Sequence, residues 1–153
     1  MRTPDSHGAA LEQLLELTVL LNDDMTRSLE RDGLTVSRAH LLWELHHRGP
    51  STQRVLAQAL SVSPRNITGL VDGLVATGFV TRQPHPTDRR ATLVTFTERG
   101  ARAARQLEDG RGQFAELLFA GLTDKQLAGL VDGMATVLTR LREALGQPAG
   151  KRR

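Results

Sequence analysis

Residues 53–78 read QRVLAQALSVSPRNITGLVDGLVATG, and this stretch sets the fold. Thr52 can cap a short helix over residues 53–60 that buries Val55, Leu56 and Ala59. The run Ser61-Val62-Ser63-Pro64 then breaks it and starts another. Ser63 is a favoured N-cap, and Pro64 falls at the first helical position, where a missing N–H costs nothing. The following helix, about 64–77, buries Ile67, Leu70, Val71 and Leu74 at helical spacing and stops at Gly78. Two short helices joined by a three-residue turn, the second freshly capped, predict a helix-turn-helix.

C-terminal to this unit, residues 79–83 and 91–96 are rich in Val, Thr and Phe and read as strands. The loop between them, within PHPTDRRATLVTFT at 84–97, is long for a hairpin and stiffened by Pro84 and Pro86. It ends in Asp88-Arg89-Arg90. Thr97-Glu98 opens a further helix, Ala-rich to about residue 109, weakened at Gly110 and Gly112 and resuming at Gln113. Thr123 and Gln126 form a capping box before a last amphipathic helix striped by Leu127, Leu130, Met134, Val137, Leu138, Leu141 and Leu145. The closing GQPAGKRR reads as a disordered basic tail.

On the N-terminal side, Leu11, Leu14, Leu15, Leu21, Met25 and Leu29 mark one long helix over 6–32, capped by Gly33. A second helix over 36–48 turns Ala39, Leu42 and Leu45 inward and ends at Gly49-Pro50. The expected order is α-α-α-α-β-β-α-α. This is a mainly α chain with a small β-hairpin: a winged helix-turn-helix over 34–105, flanked by an N-terminal helix within 1–33 and C-terminal helices within 106–153.

Composition agrees. The 153 residues are 39% hydrophobic but only 3% aromatic, which fits a Leu- and Ala-rich helical core. There are no cysteines, so disulfides, thiolate metal sites and cysteine redox sensing are excluded. No apolar h-region opens the chain and no apolar run is membrane-length, so the expectation is a cytoplasmic protein. The net charge of +3 is unevenly spread. Residues 1–37 carry 3 basic and 7 acidic side chains, residues 38–105 carry 10 and 4, and residues 106–153 carry 7 and 6. A basic middle expects a polyanion as partner.

With Ile67, Leu70 and Leu74 inward, the 3.6-residue period turns Arg65, Thr68 or Gly69, and Asp72 outward, with Asn66 beside them. Arg and Asn are the side chains that bind guanine and adenine edges bidentately in a major groove. Gly69 and Gly73 lack side chains, which favours close approach to DNA. The arginine tip of the hairpin suits the negative potential of a minor groove, with Asp88 expected to hold Arg89 or Arg90 through a charge-assisted pair.

The stretches LTVSRAHLLWELHHRG and VLAQALSVSPRNITGLVDGLVATGFVTRQPHPTDRRATLVTFTERG resemble the MarR family of bacterial transcription regulators. DRRATLVTFTERG is similar to that family's wing signature, with Phe96 where Leu is usual. The resemblance implies a homodimer on a palindromic operator of double-stranded DNA, acting as a repressor. It also implies Ser63, Arg65, Asn66 and Thr68 near bases and Arg90 in the minor groove. Two amphipathic terminal helices fit such a dimer independently, with Leu11, Leu14, Leu130, Met134, Leu138 and Leu141 as its apolar contacts.

The family resemblance also implies release of DNA by a small aromatic or anionic ligand. His40, Trp43 and His47 on the second helix form the candidate pocket, the ligand stacking on Trp43. His40, Glu44 and His47 share a face, yet His40 and His47 lie about 10 Å apart by helical rise, too far to share one metal ion. No phosphate loop, HExxH or GxSxG occurs, so neither an enzyme nor a cofactor is expected. The competing expectation is a winged helix used only for protein contact. The exposed arginines and Asn66 speak against it, because such a face more naturally carries apolar residues.

Overall fold

The computed structural model describes residues 4–146, with side chains from Ser6 onward; the tail from residue 147 lies outside the described residues. Its elements are α1 (Pro4–Arg31), α2 (Val36–Arg48), β1 (Ser51–Thr52), α3 (Gln53–Leu60), α4 (Pro64–Ala76), β2 (Val80–Pro84), β3 (Thr92–Phe96), α5 (Glu98–Phe119) and α6 (Asp124–Ala144). The expected helices and hairpin are present. β1 is an addition, too short for any periodicity to reveal.

Local chemistry sets the boundaries. The side chains of Thr35, Thr52, Ser63 and Thr123 each accept a backbone N–H three residues on, at the starts of α2, α3, α4 and α6. The capping box of Thr123 and Gln126 is complete. α1 and α4 end alike. Gly33 and Gly78 adopt φ of 72° and 80°, and the next residues return an N–H to the helix, Leu34 to the Leu29 carbonyl and Phe79 to the Leu74 carbonyl, each at 2.9 Å. A side chain would be strained in that left-handed conformation.

The chain divides into two compact units, one running to Asp109 and one from Gly110. The core of the first is built by Leu41, Leu42 and Leu45 of α2, Leu56 of α3, Ile67, Val71 and Leu74 of α4, and Val80 and Val94 of the strands. Leu29, Leu34 and Phe79 complete it. Val55 is not part of it: this side chain is exposed, and Ala57 takes the buried position in α3. The strand order is β1-β3-β2, all antiparallel, so β3 is central. β1 pairs Ser51 with Val94 and Thr52 with Leu93, which ties the start of α3 to the wing.

α5 differs from expectation. It runs unbroken through Gly110 and Gly112, because the intrinsic cost of glycine in a helix, about 1 kcal/mol each, does not outweigh propagation of an established helix. In the second unit α6 has no buried residue, and Leu130, Val131, Leu138 and Leu141 are exposed. α1 likewise exposes Leu11, Leu15 and Leu20 while burying Leu29.

Candidate nucleic-acid interface

α4 presents two distinct faces. Ile67, Val71 and Leu74 are buried, whereas Arg65, Asn66, Thr68, Gly69 and Asp72 are exposed. Ser63 is exposed as well, and its Oγ accepts the Asn66 N–H at 3.1 Å. Its hydroxyl proton is left for an outside acceptor. A methyl group added at Gly69 would meet nothing within 4 Å, so the open backbone expected there is present. Gly73 is different. A Cβ there would stand 2.8 Å from Cζ and 2.9 Å from Nε of Arg38. The notch is already filled by a guanidinium from α2 and is not a place for DNA to approach.

Thr68 and Asp72, one turn apart, are held in a ring of side chains. The Thr68 hydroxyl donates to the Pro64 carbonyl at 2.9 Å and accepts from Gln53 Nε2 at 3.1 Å. Gln53 Oε1 accepts from Arg82 Nε at 3.1 Å, and Arg82 Nη2 donates to Asp72 Oδ1 at 2.5 Å. The ring joins α4, α3 and β2, fixing the base of the wing to the outward helix. It also places a cation on the one carboxylate of α4, in a face that would otherwise repel phosphate. Neither Gln53 nor Arg82 stands out in the sequence, since only the β2–α3 packing brings them together.

The wing loop, residues 85–91, is closed by backbone bonds from the His85 N–H to the Ala91 carbonyl and from the Ala91 N–H to the Asp88 carbonyl, both 3.1 Å. Asp88 does not hold a guanidinium. Its Oδ1 accepts the Arg90 N–H at 3.0 Å, the short Asx turn that aspartate makes two residues ahead. Arg89 and Arg90 are exposed and enter no ion pair among the described residues. Two shallow depressions lie on this side. One, about 590 Å³, runs between α3 and α4; the other, about 540 Å³, is bordered by Thr52, Arg54, Arg82, Asp88 and Thr92.

A MarR family sequence model matches residues 34–92, the segment that contains the capped helix pair and the arginine-tipped loop. Over this segment the chain is similar to the MarR family. Two relatives illustrate the similarity. The regulator YpoP of Bacillus subtilis is 28% identical over 73% of this chain and 76% of its own length. The repressor NicR of Pseudomonas putida is 36% identical over 53% of this chain and 51% of its own. Among solved structures, FabT of Streptococcus pneumoniae, crystallised with DNA, superposes with a TM-score of 0.82. That comparison covers 90% of this chain and 99% of FabT, at 16% identity, and so speaks for the fold.

The side chains singled out for a ligand pocket lie on α2. His40 and His47 are exposed and Trp43 is half-buried. His47 Nδ1 lies 2.9 Å from the Trp43 carbonyl, and the two rings are 4.3 Å apart. Glu44 is paired with Arg48, and His46 with Glu108 of α5. Neither depression described above is lined by His40, Trp43 or His47. Among the described residues, no three His, Asp or Glu side chains are arranged to hold a metal ion. No described helix is long and apolar enough to cross a membrane.

Proposed function

We propose that this chain is a transcription regulator that binds double-stranded DNA as a homodimer on a palindromic operator and represses transcription. The observation that carries this reading is the pairing of an open helix face, Arg65-Asn66-Thr68-Gly69, with a wing whose Arg89 and Arg90 have no internal ionic partner among the described residues. Arg65 and Asn66 supply bidentate donors in the first turn, where recognition helices meet bases. Arg90 enters the neighbouring minor groove. FabT crystallised with DNA and the repressor name of NicR support the reading. It places the protein in the cytoplasm and involves no enzymatic step.

The exposed leucines of α1 and α6 are covered by a second copy of the chain, and two-fold symmetry then matches two half-sites one helical turn apart. A small aromatic anion over Trp43, with His40 or His47 as its polar partner, is the effector this reading includes. Fluorescence anisotropy against duplex DNA from the upstream region, with scrambled competitor, tests the core of it. Arg65→Ala should weaken specific binding by about 1–3 kcal/mol and relax discrimination at one base pair. Arg90→Ala should weaken it and reduce the log–log salt slope by about one. Binding equal to that of the scrambled duplex at every salt concentration, with upstream and genomic fragments alike, would overturn the reading.

A further inference from the structure

Six of the seven residues in loop 85–91 have a backbone N–H, since Pro86 has none. Two of these six, Thr87 and Asp88, find their acceptor in one side-chain atom. The N–H of Thr87 lies 3.2 Å, and that of Asp88 3.0 Å, from Nδ1 of His85. The Thr87 hydroxyl is 3.3 Å from the same nitrogen. A ring nitrogen that accepts an amide N–H carries no proton itself, so these bonds require the tautomer with its proton on Nε2. His85 is only partly exposed, whereas residues 86–90 are all exposed. Asp88, whose N–H is fixed by His85, in turn fixes Arg90 through its carboxylate and Ala91 through its carbonyl. The bonds form a relay: His85 sets Asp88, and Asp88 sets the arginine.

We propose that His85 is a positioning residue for the wing: its Nδ1 is the acceptor that folds the loop and presents Arg89 and Arg90 to the DNA backbone and minor groove. The proposal rests on the DNA-binding reading for its consequence, but not for its structural half. A loop ordered before binding loses less conformational freedom on contact, so removing the acceptor lowers affinity without removing any group that touches DNA. The alternative role, a histidine that merely covers the hairpin, needs bulk at this position and not an acceptor at one atom.

Three variants separate these roles. Asn carries its acceptor, Oδ1, on Cγ as His carries Nδ1; Gln carries it one bond farther out; Ala has none. Each is measured for amide hydrogen exchange in the free protein and for affinity to the specific duplex, beside Arg90→Ala. His85→Asn should keep the Thr87 and Asp88 amides protected and bind within about twofold of wild type. His85→Ala and His85→Gln should lose that protection and bind about tenfold more weakly, the loss of roughly one net hydrogen bond or a little more. Wild-type affinity in His85→Ala, with Arg90→Ala impaired, would refute the positioning role. So would equal exchange of both amides in all four proteins. If wild type itself shows no specific binding, the DNA reading fails separately, and the exchange result alone decides whether His85 orders the loop.

Discussion

Gly69, Gly73 and Gly100 all lie within helices, yet an added methyl group would meet different surroundings at each. At Gly100 it would run into the Phe79 carbonyl, whose carbon lies 2.8 Å from the Cβ position, and backbone cannot step aside as a side chain can. Gly100→Ala should therefore destabilise the protein by about 2 kcal/mol, as overpacked cores do. At Gly69 nothing stands in the way, so Gly69→Ala should gain up to about 1 kcal/mol from helix propensity. The same methyl group occupies the space proposed for DNA, so affinity should fall while stability rises. Urea denaturation and anisotropy on the two variants check both signs; a Gly69→Ala protein that is more stable and binds equally well would remove this glycine from the interface. The Arg38 guanidinium over Gly73 could not be read from the sequence, because the two residues are 35 positions apart and meet only through packing. Asp88 was misread for the opposite reason. An amide two residues away in the chain is nearer than any guanidinium on a flexible stem.

Helix ends were legible, and one short strand was not. Thr52, Ser63 and Thr123 act on amides three residues ahead, so their capping is local and the sequence displays it. β1 exists only because Ser51 and Thr52 find Val94 and Leu93 across the sheet, a partnership that no periodicity over two residues can announce. α5 shows a third case. Local propensity marks Gly110 and Gly112 as a weak point, but the helix is already nucleated by Thr97, whose Oγ1 accepts the Gly100 N–H at 3.1 Å, and extension from an existing turn is cheap. Neither glycine has a neighbour within 4 Å of its Cβ position. Gly112→Ala should thus stabilise α5 by about 1 kcal/mol, seen as a higher thermal midpoint by circular dichroism. A lowered midpoint would mean that the helix needs flexibility or close approach there.

At the scale of the whole molecule, α1 and α6 leave leucines uncovered: Leu11 is 57% exposed and Leu141 52%. Leucines left uncovered along each helix call for a covering partner, and the homodimer proposed above supplies one. Leu138→Asp placed in α6 should shift sedimentation towards monomer and weaken operator binding by more than any single wing substitution, because both half-sites are lost together. A variant that remains dimeric and binds fully would move the dimer contact elsewhere. The sequence shows these stripes by their spacing; in the proposed dimer they face a second copy, which no single chain contains. In α4 the buried residues, Ile67, Val71 and Leu74, are distinct from the exposed ones, Arg65, Asn66 and Gly69. Under the proposed DNA-binding reading, target preference can therefore drift under mutation while the hydrophobic core stays unaltered, and a gene duplicate could acquire a new target without first acquiring a new fold. Thr68 is the position that resists such drift, since its hydroxyl is bonded to both Pro64 and Gln53.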